Sequence, residues 1–65
     1  MEILERLYRE FEMMKAAARE EGDIDAVMDL SYVIDLIRRA MRGEIEEDIV
    51  IEEAKLWGIR VDKEY

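Results

Sequence analysis

The chain has 65 residues, 51% of them apolar and 43% charged, with a net charge of −8 and neither Cys nor His. A chain of this length makes one domain at most (1–65), and without those two residue types it has no disulfide, no thiolate ligand and no imidazole base. The acidic balance argues against nucleic acid and anionic membrane surfaces, and no apolar run approaches the ~20 residues that cross a bilayer.

Residues Met1 to Glu5 are amphipathic and acidic, unlike a secretory signal, so the chain reads as soluble with no targeting segment and no readable location. Leu4, Leu7, Phe11, Met14 and Ala18 then recur at spacings of three and four, which predicts an amphipathic helix over about 2–21. Ile3 and Ala17 widen its apolar stripe, Tyr8 sits at the other edge, and Glu2–Arg6 and Glu5–Arg9 are favourable pairs one turn apart. Gly22 is the expected stop, and Asp23 the N-cap of the next helix.

Val27, Leu30, Ile34, Ile37 and Met41 repeat the spacing, with Ala26, Val33 and Ala40 as a parallel row seven apart. This broad arc predicts a helix over 24–42 that touches two neighbours. Its acids (Asp23, Asp25, Asp29) lie early and its arginines (Arg38, Arg39, Arg42) late, an order that complements the helix dipole. After Gly43, Ile45 is placed to staple onto Val50, and a third helix is predicted over 47–57. Its expected apolar arc is Ile49, Val50, Ala54, Leu56 and Trp57, but Glu53 falls inside that arc. Three readings remain open for Glu53: it pairs with an Arg of another helix, it lies at a partner interface, or the helix is rotated from this arc. Gly58–Ile59 reads as a Schellman stop, and 60–65 as a short tail with Val61 against the core end. Short connections make consecutive helices antiparallel, so the expected fold is all-α, an up-down-up three-helix bundle with a C-terminal tail.

The absent residue types narrow the origin. Pro, Asn, Gln, Thr, Cys and His are all missing and Ser31 is the only serine, whereas Pro alone is expected about three times at average usage. Glu, Arg, Ala, Leu and Ile fill the chain, the palette that maximises helix propensity and binary patterning. In composition and layout, over its whole length, the sequence resembles de novo designed three-helix mini-proteins, many of them made as binders. It departs from the most idealised of these in its five Met and in having seven Arg against three Lys. The resemblance implies a non-catalytic protein that binds a protein partner, or a scaffold or self-assembling bundle with no foreign partner. A small acidic regulatory protein from a thermophile is a further alternative, since hyperthermophiles also shed Asn, Gln and Cys.

No catalytic, cofactor-binding or metal-binding residues are expected, and no small-molecule substrate. Ser31 has no base to activate it and reads as a small residue at a helix margin. Residues 43–65 carry eight acids against three bases, but they contain no calcium-loop spacing, and di-metal bundle sites need His. They read as a solvated helix start, with mimicry of DNA as the sharper alternative. Leu4-x-x-Leu7-Tyr8 resembles the hydrophobic part of sliding-clamp-binding peptides but lacks their leading Gln, and the helix core needs the same residues. The candidate partner-binding residues are Asp25, Met28, Tyr32, Leu36 and Arg39, because Met28 and Tyr32 point away from the core stripe and the others flank them. Met13 and Ile51 are also expected to lie off their core arcs, as scattered surface apolar residues.

Overall fold

The computed structural model describes residues 2–58. It is an all-α three-helix bundle: α1 runs Glu2–Glu21, α2 Ile24–Met41 and α3 Glu47–Leu56. Each boundary falls within one residue of the periodicity-based expectation. The expected contact of Ile59, the tail 60–65 and the position of Val61 lie outside the described residues.

The stops are local chemistry. Gly22 and Gly43 adopt φ of 75° and 80°, the left-handed conformation that other residues enter only at a cost. At the end of α1, Gly22 N–H donates to Arg19 C=O and Asp23 N–H to Ala18 C=O, the paired bonds of a Schellman cap. Gly43 N–H to Ala40 C=O and Glu44 N–H to Arg39 C=O repeat this at the end of α2. Asp23 also starts the next helix, its side chain accepting from Ala26 N–H at 3.2 Å. One residue thus closes α1 and opens α2, which forces the two into a tight antiparallel hairpin.

Two cross-helix contacts fix the order of directions. Arg38 Nη2, late in α2, donates to Tyr8 Oη, early in α1, at 3.1 Å. Phe11 in the middle of α1 meets Trp57, just past α3, edge to face with ring centroids 6.2 Å apart. The chain therefore goes up, down and up. The contiguous core is Leu4, Leu7, Phe11 and Ala18 from α1, Leu30, Val33, Ile34, Ile37 and Ala40 from α2, and Val50 and Ala54 from α3. As its broad arc predicts, α2 packs against both other helices. Ile45 also packs against this core, as a staple onto Val50 requires. Leu4 and Leu7 are buried and Tyr8 is bonded to Arg38, so the clamp-peptide resemblance has no free residues to act through.

At 1.5 Å per residue, α3 is about 15 Å long against about 30 Å for α1, so it covers only part of the hairpin. Nearer the Gly22 turn, Met14, Ala26 and Val27 are only half-buried. Ala17, expected to widen the core stripe, is exposed. Glu5–Arg9 is not among the ion pairs within 4 Å of the described residues, which are Arg39–Asp35, Arg42–Glu44 and Lys55–Glu52.

The orientation of α3 departs from expectation. Ile51, expected to be stranded, is 2% exposed, whereas Ile49 and Leu56, expected in the arc, are 49% and 81% exposed. At 100° per residue, the observed arc of Val50, Ile51 and Ala54 is turned by roughly a quarter of a revolution from the expected one. Glu53 consequently moves from the middle of the arc to its margin and is half-buried, which resolves its position in favour of a rotated helix. The rotation removes the cost of burying an unpaired carboxylate.

The Arg42–Glu44 pair, at 2.8 Å, crosses the start of the α2–α3 connection. The hydrogen bond from Arg42, followed by its charge, holds the Glu44 carboxyl below the ordinary glutamate value. A carboxyl whose folded pKa is depressed binds fewer protons folded than unfolded, so its contribution is present above the unfolded value and is lost as pH falls through the folded one. Acid titration of Glu44→Gln should therefore show a slightly shallower loss of stability below about pH 4.5 than the parent chain, with the two converging at low pH. Both side chains are exposed, so the difference is small.

Candidate functional site

The outward face of α2 is set by the same periodicity that builds its core. With Leu30, Val33, Ile34, Ile37 and Ala40 facing inward, residues at i, i+4 and i+8 from Ile24 lie on the opposite side. Ile24, Met28 and Tyr32 occupy those positions and are 70%, 65% and 60% exposed. They form a continuous apolar row along the first half of the helix.

The five candidate residues share one side of α2 but are not equally exposed. Met28 and Tyr32 are in the row, and Asp25 is exposed one residue over from Ile24. Arg39 lies further along the same side, where Nε meets Asp35 Oδ2 at 3.2 Å, so its charge is already partnered. Leu36, one turn past Tyr32 and about 80° from the axis of the row, is half-buried and packs against the core. It belongs to the margin of the core and not to the open face. Ile24 is the residue that sequence reasoning missed. Its signal is its position four residues before Met28, on the same side of the helix.

The charges of α2 are used unequally. Arg38 donates to Tyr8 and lies over its ring, 5.6 Å from the centroid, and that hydrogen bond is the chief reason its pKa is raised. Arg39 is held by Asp35 and Arg42 by Glu44. All three arginines are thus engaged. By contrast, Asp25 and Asp29 are exposed and take part in no ion pair within 4 Å among the described residues.

Other surface apolar residues are more scattered. Met13 is exposed on α1, beside exposed Ala16 and Ala17. Ile49 and Leu56 share the outer side of α3, two turns apart, with Glu52 and Glu53 between them. The Ser31 hydroxyl donates to Val27 C=O at 2.8 Å, a bond back into its own helix. Among the described residues no three acidic side chains converge as a metal site requires, and no helix is long and apolar enough to cross a membrane.

Comparison with known proteins returns no match to any family model, curated protein or solved structure.

Proposed function

We propose that this chain is a non-catalytic helical mini-protein, of designed origin by its composition, that binds a protein partner through the outward face of α2. The observation that carries the reading is the row Ile24, Met28 and Tyr32, three large apolar side chains one turn apart and turned to solvent. Such a row contributes nothing to the bundle itself, and a sequence chosen only for folding and solubility places polar residues there. Met and Tyr are enriched at protein interfaces, where they bury large areas while losing little rotamer freedom. A helix face of this kind docks by laying the apolar row against a complementary apolar surface.

The second reading is a scaffold or self-assembling bundle. It is favoured by the exposed Ile49 and Leu56 on α3, which give the molecule a second outward apolar pair. Light scattering behind size exclusion, over a wide concentration range, separates the two. A monomer throughout supports the foreign-partner reading. An oligomer that Met28→Asp dissolves makes the row a self-contact, and the self-assembly reading then replaces it. The monomer reading carries a stability corollary: Tyr32→Ala should leave the thermal midpoint nearly unchanged, with a stability within about 0.5 kcal/mol of the parent. A large drop would place Tyr32 in the fold's own packing and remove it from the site.

A further inference from the structure

The apolar row has a charged rail beside it. Asp25 and Asp29 follow Ile24 and Met28 by one residue each, so they form a parallel line along the same stretch of α2. They are one turn apart, an arrangement of like charges that weakens a helix slightly. The helix dipole compensates for Asp25 in the first turn, but its influence has largely decayed at Asp29. Further along the same helix the sequence places Asp35 four residues before Arg39, where the two form an ion pair. At the rail it places acid before acid. Across the Gly22 turn, exposed Glu20 and Glu21 add to the same end of the molecule, against Arg19 and, one turn earlier, Lys15. None of these four carboxylates has an ion partner within 4 Å among the described residues.

From this juxtaposition we infer that the partner segment that docks on α2 is a basic amphipathic helix, with an apolar stripe for Ile24, Met28 and Tyr32 and Lys or Arg at its edge for Asp25 and Asp29. The inference rests on the docking reading above and adds the partner's chemistry. Among the described residues no cation lies within 4 Å of the rail, and a partner helix lying along α2 would supply one at the point where its apolar stripe meets the row. The charge complementarity runs against a second copy, since the bases of α2 are engaged and the chain as a whole is acidic with a net charge of −8. The outer face of α3 fits the same partner less well. Its apolar residues are two turns apart, and Glu52, between them, is held by Lys55 at 3.8 Å.

The test is a titration of the isotopically labelled full chain with two synthetic helices of about five turns, each carrying one Leu stripe. One is flanked by Lys and the other by Glu. The Lys helix is expected to shift the amides from Ile24 to Tyr32 saturably, with affinity falling about tenfold between roughly 0.05 and 0.5 M salt. Asp29→Asn should raise the thermal midpoint slightly, by removing the repulsion, and still weaken the Lys helix several-fold. That opposition of signs is not produced by a purely structural role. Met28→Ser should abolish the response and keep the fold, with Trp57 emission reporting the intact core. Equal binding of the Glu helix at the same amides would overturn the basic assignment and leave docking on α2 standing. Binding that survives Met28→Ser, or that shifts α3 as strongly, would reduce the effect to undirected charge attraction and overturn the inference. Absence of any response to the Lys helix would also overturn it. Concentration-dependent shifts at Ile24 to Tyr32 without peptide would assign the face to a second copy, and both readings would fall.

Discussion

Phe11→Ala is expected to unfold the chain at ordinary temperature. Phe11 is fully buried, and it is the side chain through which α1 meets Trp57 at the end of the third helix. Truncating a buried Phe costs about 3–5 kcal/mol, from lost transfer energy and the cavity left behind. A chain this short has a total stability of roughly 3–10 kcal/mol, at about 0.05–0.15 kcal/mol per residue. No disulfide is present to compensate. Chemical denaturation followed by far-ultraviolet circular dichroism should show either no folded baseline or a midpoint reduced by about half or more. An unfolding free energy within about 1 kcal/mol of the parent would mean that the third helix docks without the Phe11–Trp57 contact.

The second large effect contrasts two isoleucines two residues apart. Ile51→Asp should destabilise by several kcal/mol, because it places an unpaired carboxylate at a buried position and removes the apolar area of the side chain. Ile49→Asp should fall within about 0.5 kcal/mol of the parent, or stabilise slightly, since an acid near the start of a helix complements its dipole. Thermal melts of the two variants decide the orientation of α3. The reverse ranking would restore the arc of Ile49, Val50 and Leu56 and return Glu53 to its centre. With the ranking as expected, Ile49 and Leu56 remain available at the surface and Glu53 is a marginal residue of no special role.

The contrast between α2 and α3 shows what kind of information a short helix lacks. In α2, five turns of apolar spacing average out any single ambiguous residue, and the inward face could be assigned from periodicity alone. In α3, ten residues span fewer than three turns, and two overlapping arcs share Val50 and Ala54. The first has a carboxylate, Glu53, near its middle, while the second meets one, Glu47, only at the first position of the helix. The cost of burying Glu53 already favoured the second, in which Val50, Ile51 and Ala54 follow one another at helical spacing. Local hydrophobicity, which Leu56 and Trp57 dominate, favoured the first. The candidate surface was legible to a similar degree. Met28 and Tyr32 follow from their angle to the core stripe, and Ile24 follows from the same rule applied one turn earlier. The position of Leu36 did not follow, because a residue about 80° from the axis of a face can be drawn inward or left open according to what packs beside it.

The amino-acid order alone was enough for the three helices, their ends and the up-down-up path, since glycine stops, the Asp23 cap and amphipathic spacing all act between residues close in the chain. It was also enough to place Met28 and Tyr32 outside, because the first 20 residues of helical chain and the next 18 each leave one unambiguous wet side. The rotation of α3, the burial of Ile51, the capture of Arg38 by Tyr8 and the withdrawal of Leu36 were decided only when the helices met. Each depends on side chains separated by many residues in sequence but adjacent in the bundle, and no local pattern encodes the contact area that chooses between two nearly equal apolar arcs.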